Sequence, residues 1–99
     1  LEGGAIHGVS MALKEAVRFD RRRVTSDSWE TYPILRFSEV PVVQTRLIQR
    51  PDQPPLGAGE CALAPSVAAI AGAIRDALGV RVRAMPFTPE TIAAAMDAA

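Results

Sequence analysis

A short loop with two glycines and one carboxylate is the part of this sequence best suited to chemistry. Residues 54–60 read Pro-Pro-Leu-Gly-Ala-Gly-Glu and stand directly before a segment with helical periodicity. Gly57 and Gly59, which flank Ala58, would let a bulky group approach the backbone, because glycine has no side chain to collide with it. Glu60 would then lie beside that group, where a carboxylate can act as a general base.

Spacing alone leaves two interpretations of Glu60 open. In the first, it is a catalytic base whose ionised form is stabilised by the N-terminus of the following helix, while burial in a closed pocket would oppose ionisation. In the second, Glu60 caps the helix and the two glycines form a turn. The Gly-x-Gly-Glu pattern is too short to decide between them, and no second carboxylate is placed to work with Glu60.

The other reactive residue types offer weaker candidates. His7 is the only histidine and has no Cys, Asp or Glu at metal-ligand spacing, so we expect it to have a packing or surface role. Cys61 is the only cysteine and has no histidine near it in sequence, which favours a buried, inert thiol over a nucleophile. The aromatic residues Trp29, Tyr32 and Phe37 are expected to be core or interface side chains.

The composition describes one domain, or a piece of one, without an evident nucleic-acid or membrane partner. The 99 residues carry no net charge and 48% of them are hydrophobic, as in a soluble globular protein. No apolar run approaches the roughly 20 residues of a membrane span. The sequence starts at Leu1 without an initiator methionine. We therefore expect a fragment or a processed chain, whose cellular compartment the sequence leaves open.

The first half of the chain is predicted to contain a helix, a hairpin, a loop and a strand. Ile6, Val9 and Leu13 step by three and four residues, which predicts a helix running to about residue 14. Gly8 weakens that helix slightly and would let another backbone or a ligand approach. The remaining elements are a hairpin over 17–25 with the solvated cluster Arg21–Arg23 at its tip, an ordered loop over 26–41 and a strand over 42–49.

The second half has the clearest helix signals. A helix is predicted from about residue 64 to residue 78, with Pro65 in its first turn and Gly79 as its C-terminal stop. A short strand over 80–85 follows. Thr88, followed by Pro89, then predicts the start of a last helix, which runs to about residue 97.

These elements together predict an α+β fold, with a small mixed sheet and packed helices. A sheet this small needs cover on its other face. We therefore expect residues 1–99 to be part of a larger domain.

Three segments, in this order, resemble the molybdopterin-binding subunit of the xanthine dehydrogenase family, the molybdenum hydroxylases. Residues 1–8 (Leu-Glu-Gly-Gly-Ala-Ile-His-Gly) are similar to the family's Glu-Gly-Gly helix start. Residues 31–41 are similar to its Tyr-x-x-x-Arg loop, and residues 54–60 to its active-site loop. The similarity spans nearly the whole chain and places it at the C-terminal end of the large subunit. It is strongest to the branch with isoquinoline 1-oxidoreductase and the nicotinate and aldehyde dehydrogenases.

The resemblance implies roles for six residues. Glu60 aligns with the family's catalytic glutamate, the general base in the hydroxylation of an N-heterocyclic aromatic compound or an aldehyde. The residues that would lie against the cofactor are Gly3, Gly4, Gly57, Ala58 and Gly59. No residue of this segment is expected to be a metal ligand.

The resemblance also implies cofactors and partners. These are molybdopterin with molybdenum, in the cytosine dinucleotide form, and [2Fe–2S] clusters in a small partner subunit. The remainder of the large subunit, a cytochrome c acceptor and a small-molecule substrate complete the expected set in a bacterial enzyme, with no nucleic acid.

Two departures from the family pattern matter. The family's glutamine that precedes the first motif has no counterpart before Leu1, and Cys61-Ala62 stands where many relatives have Pro-Gly or Ala-Ser. The 99 residues by themselves are therefore expected to be inactive. A non-catalytic structural or interaction fragment that folds without cofactor is the alternative hypothesis.

Overall fold

The computed structural model describes residues 1–99 and contains three α-helices and one short 3-10 helix. The helices are α1 (Glu2–Leu13), α2 (Leu63–Leu78) and α3 (Pro89–Asp97), and the 3-10 turn covers Phe37–Glu39. There is no strand and no sheet, since the one β-type pairing is an isolated bridge between Phe19 and Val24. The fold is all-α, and the prediction of an α+β fold with a mixed sheet is wrong.

The helix predictions are confirmed, because the signals that define them are local. Gly79 ends α2 with a left-handed φ of 71°, and its N–H donates to the Arg75 carbonyl at 2.8 Å. At the start of α3 the Thr88 hydroxyl accepts from the N–H of Thr91 at 3.2 Å, with Pro89 in the first turn. Each of these interactions joins residues within one helical turn, so the chain needs no distant partner to form them.

The predicted strand over 42–49 fails because it has nothing to pair with. Residues 40–49 take part in no backbone–backbone hydrogen bond. The side chains of Val42 and Ile48 are 90% and 86% exposed. Strand propensity describes how well a residue fits a pleated, half-buried surface, and this chain offers residues 42–49 no such surface.

Residues 80–83 of the predicted strand over 80–85 alternate between buried and exposed side chains, but they pack on helices and do not pair with another strand. Val80 and Val82 are buried, whereas the intervening Arg81 and Arg83 are exposed. The two valines pack in the core with Phe87, against helical residues of α2 and α3. The buried face of this segment therefore packs on helices and forms no ladder of hydrogen bonds, and the strand prediction is wrong.

The predicted hairpin is reduced to its turn. The Asp20 carboxylate accepts from the N–H groups of Arg22 and Arg23 at 2.7 and 3.0 Å, and these two bonds lower the pKa of Asp20. The flanking chain forms one isolated bridge, Phe19–Val24, beside which the Arg18 carbonyl accepts the Thr25 N–H at 2.8 Å, and it does not extend into strands. Arg21, Arg22 and Arg23 are exposed, as expected for a solvated cluster.

Helices α1 and α2 approach each other at backbone distance through two glycines of α1. A Cβ added to Gly8 would lie 2.6 Å from the Leu63 carbonyl oxygen and 3.0 Å from the Ser66 Cβ. One turn earlier, a Cβ on Gly4 would lie 3.0 Å from the Gly59 carbonyl oxygen. Gly8 therefore allows the α2 backbone to approach α1 closely. The sequence predicts that either another backbone or a ligand approaches at Gly8, and the structure shows a backbone.

The buried core lies where the C-terminal end of α1 meets residues 80–87. Its members are Ala12, Val80, Val82 and Phe87, and the Phe87 N–H donates to the Ala12 carbonyl at 2.6 Å. The partly buried residues around it come from α2 and α3: Val67, Ile70, Ala71, Ile74, Ile92 and Ala95. Leu78 is 46% exposed, so the packed face of α2 ends one turn earlier, at Ile74.

The chain exposes more surface than a self-contained protein of its size. Its accessible surface is 8046 Å², whereas a folded monomer of this mass exposes roughly 5,500 Å². Only 6 of 99 residues are buried, and Trp29 and Phe37 are 81% and 102% exposed. The two aromatic residues are therefore not core residues of this chain, and much of its apolar surface lacks a covering partner.

Polar side chains attach the loop over 26–41 to α1. The Tyr32 hydroxyl donates to a Glu15 carboxylate oxygen at 2.9 Å, and the Leu35 N–H donates to the hydroxyl of the buried Ser10 at 3.1 Å. Lys14 forms an ion pair with Glu39. The hydrogen bond to Glu15 raises the pKa of Tyr32, since it stabilises the protonated phenol, and desolvation adds to the effect.

The glycine contact predicts opposite effects for two similar substitutions. Gly8→Ala should destabilise the α1–α2 unit by about 1–3 kcal/mol, because the new methyl group overlaps the α2 backbone. Gly72→Ala, in an open part of α2, should stabilise it by about 0.5–1 kcal/mol through helix propensity. Hydrogen–deuterium exchange of the α1 and α2 peptides in the intact protein measures both. Equal effects of the same sign would contradict the packing described.

The Tyr32–Glu15 hydrogen bond predicts a pH effect. Glu15→Gln should lower the pKa of the Tyr32 phenol towards its ordinary value of about 10, because the carboxylate that favours the protonated form is removed. Tyr32 is the only tyrosine of the 99-residue chain, so ultraviolet absorbance of the tyrosinate reports it directly. The same chain unfolded in urea is the control. An identical pKa in the native wild type and the variant would disprove the interaction.

Candidate functional site

The glycine loop and the start of α1 meet in space, although they are distant in sequence. Gly4, in the first turn of α1, faces the Gly59 carbonyl oxygen and the Ala62 Cβ, which lie 3.0 and 3.6 Å from where a Cβ on Gly4 would be. No residue larger than glycine fits at position 4 without a shift of the loop. The structure thus brings together the two segments that hold all six predicted site residues.

The remaining glycines of the site border open space. A Cβ added to Gly3, Gly57 or Gly59 would have nothing within 4 Å. None of the three has a positive φ, since Gly79 is the only glycine of the chain that does. Neither turn geometry nor a contact within the chain requires glycine at these three positions, although residues 59–62 do turn into the start of α2.

Glu60 does not cap α2. The N-cap of α2 is Ala62, and no side chain makes a capping hydrogen bond there. Glu60 interacts with the helix through its backbone alone, because its carbonyl accepts the Leu63 N–H at 3.1 Å. Its side chain is exposed, with no ion pair in the chain. The capping interpretation is wrong, and the catalytic role of Glu60 stays a prediction.

Cys61 and His7 are both at the surface. The Cys61 thiol is exposed and donates to the Ala58 carbonyl at 3.4 Å, so the expectation of a buried thiol is wrong. His7 is an exposed residue of α1, which agrees with the predicted surface role. No group of three or more His, Cys, Asp or Glu residues in the chain could hold a metal ion.

A cleft of about 420 Å³ lies beside Gly3, and no sequence pattern predicted it. Its walls include His7, Glu15, Trp29 and Tyr32. Its aromatic lining residues are visible in the sequence after position 28. The sequence does not show, however, that they lie against α1. The cleft extends the open surface next to the start of α1.

The helices of the chain are too short or too polar to be membrane spans.

No protein-family model matches the chain, but curated relatives do, and they include the following three. Over 97% of its length it is 45% identical to a nicotinate dehydrogenase chain, the B subunit, of Pseudomonas putida. Over 90% it is 35% identical to the beta subunit of isoquinoline 1-oxidoreductase of Brevundimonas diminuta. Over 92% it is 32% identical to the membrane-bound aldehyde dehydrogenase (pyrroloquinoline-quinone) of Gluconacetobacter polyoxogenes.

The matched regions are small parts of these relatives. They cover 8%, 11% and 12% of the three proteins, in the same order, so the chain corresponds to a segment of a large subunit. Much of its apolar surface lies exposed because the chain corresponds to only a segment of such a subunit. The chain therefore belongs, as one segment, to the family of oxidoreductase subunits that includes those of nicotinate dehydrogenase and isoquinoline 1-oxidoreductase.

Proposed function

We propose that this chain is the C-terminal segment of a molybdenum hydroxylase large subunit that contributes the general base Glu60 and a glycine-lined wall to the active site. The meeting of Gly4 with the Gly59 carbonyl carries the proposal. It joins two motifs that resemble active-site segments of the family, and the carboxylate that follows them makes no capping hydrogen bond to its own helix.

The open glycines fit a bulky cofactor. Gly3, Gly57 and Gly59 have free space where a side chain would be, although nothing in the chain requires glycine there. Together with Gly4 and Ala58 they would hold a molybdopterin group at backbone distance. When bound, the molybdenum centre would supply the oxygen atom that the substrate gains and would accept the electrons that the substrate loses.

The contribution of Glu60 is a proton acceptor placed next to that wall. Its carboxylate would accept the proton released as the carbon–oxygen bond forms, and it would transfer that proton to solvent afterwards. The N-terminus of α2 begins three residues later, so the carboxylate lies near the start of that helix without capping it. The rest of the large subunit would exclude water and position the substrate.

The relatives suggest the substrate class. Two of the three are named for nicotinate and isoquinoline, and one for aldehydes. We therefore propose an electron-poor N-heterocyclic aromatic compound as substrate, with an aldehyde as the second candidate. Electrons would leave through [2Fe–2S] clusters of a partner subunit to an acceptor such as cytochrome c, and the cofactor would be the cytosine dinucleotide form.

One relative favours a second cofactor. The name of the Gluconacetobacter protein includes pyrroloquinoline-quinone, which is an organic redox group without molybdenum. Metal analysis of the purified complex distinguishes the two: molybdenum near one per large subunit supports the proposal, whereas a bound quinone without molybdenum contradicts it. The absence of both would favour the non-catalytic fragment.

Removing the proposed base should stop turnover without removing the cofactor. In the full-length complex, Glu60→Gln should lower kcat by about 10²–10⁴-fold, the usual contribution of a general base, with unchanged molybdenum content. Oxidation of nicotinate, isoquinoline and a simple aldehyde should be measured in parallel. Loss of activity towards whichever substrate the wild type accepts is the expected result.

Glu30→Gln is the matched control. Glu30 is also an exposed carboxylate, and it forms no ion pair in the chain. This variant should retain wild-type kcat. Near-normal turnover by Glu60→Gln, at full molybdenum content, would refute the assignment of Glu60.

A further inference from the structure

Three arginines near the C-terminal end of α2 line one cleft. Arg75 lies in the last turn of α2, and Arg81 and Arg83 follow in the segment that leads to α3. The cleft has a volume of about 330 Å³, and its other walls are Ala71, Gly72 and Val82. The three arginines are thus the only charged residues of its lining.

The packing of residues 80–83 explains why Arg81 and Arg83 lie together. Val80 and Val82 are 7% and 8% exposed and are held in the core. Because successive side chains of an extended segment point to opposite sides, burial of the valines directs both arginines outward. The hydrophobic core therefore fixes the two charges on one side of the segment.

Within the 99 residues, none of the three arginines forms an ion pair. The ion pairs of the chain involve Lys14, Arg23 and Arg50, and neither Arg75, Arg81 nor Arg83. No Asp or Glu lines this cleft or the neighbouring cleft of about 780 Å³, which Arg81 and Arg83 also border. Like charges gathered without counter-charges repel one another, and an anion bound between them would relieve that repulsion.

We propose that Arg75, Arg81 and Arg83 form a binding site for a phosphate-bearing small molecule. Guanidinium groups bind phosphate oxygens through paired, charge-assisted hydrogen bonds. A single carboxylate would balance one of the three charges, whereas a phosphate monoester carries roughly −1.5 to −2. The charge and the size of the cleft therefore fit one or two linked phosphate groups better than a lone carboxylate.

The position of this site separates it from the glycine loop. Arg75 lies twelve residues beyond the start of α2 at Leu63, which corresponds to about 18 Å along the helix axis. The inference depends on the arginines and the core alone, and a failure of the proposal for Glu60 would leave it standing.

Calorimetric titration of the intact large subunit with inorganic pyrophosphate tests the site. The Arg81→Gln/Arg83→Gln variant should bind pyrophosphate at least about tenfold more weakly than wild type, the factor expected when a charge-assisted hydrogen bond is lost. Arg21→Gln/Arg22→Gln removes the same charge from the exposed turn at Asp20 and should bind like wild type. Binding should also weaken as salt concentration rises.

Several outcomes would overturn the proposal. They are an absence of binding by wild type, equal binding by wild type and Arg81→Gln/Arg83→Gln, and equal loss in both double variants. Equally tight binding of succinate and pyrophosphate would assign the cleft to carboxylates instead. A nucleoside diphosphate should bind at least as tightly as pyrophosphate if the phosphate belongs to a nucleotide, and a nucleoside alone should not bind.

Discussion

The close approach of α1 to α2 at Gly8 is the constraint on which the remaining geometry depends. The α2 backbone passes where any side chain at position 8 would stand, so the two helices meet at a separation that only glycine permits. That separation places Gly4 one turn away against the glycine loop, and it places the start of α2 directly behind Glu60. A larger residue at position 8 would move the helix start and the loop apart, and with them every residue assigned to the site.

The parts of the fold that were predictable are those with short-range causes. The ends of α2 and α3 follow from Gly79, Thr88 and Pro89, each of which acts on its own helical turn. The strands could not be predicted correctly, because a strand exists only with a neighbour. Residues 42–49 have strand-like composition, yet they form no backbone–backbone hydrogen bond in the chain. Residues 80–83 alternate valine and arginine, but the sequence carries no information on what buries the valines.

The candidate site was only partly predictable, because its motifs are local in sequence whereas the contacts between them are not. The motifs identified Glu60 and the glycines as candidates, and the resemblance gave them roles. Sequence could not show that Gly4 and Gly59 touch, that Ala62 takes the N-cap position from Glu60, or that Cys61 is exposed. The arginine cleft was invisible for another reason: Arg75 lies on a helix and Arg81 on an extended segment, and only the core between them brings the charges together.

The long stretch between α1 and α2 has a consequence for how this segment can vary. Residues 14–62 connect two helices whose mutual position is determined by direct contact, and a large part of that stretch makes no backbone hydrogen bonds to anything. Lengthening such a connection costs little, since doubling a flexible loop adds only about 0.6 kcal/mol of closure entropy. Residues 42–49, which lie between the loop bonded to α1 and the glycine loop, can therefore accept insertions and deletions over evolutionary time while the glycine contact holds the register of the two helices.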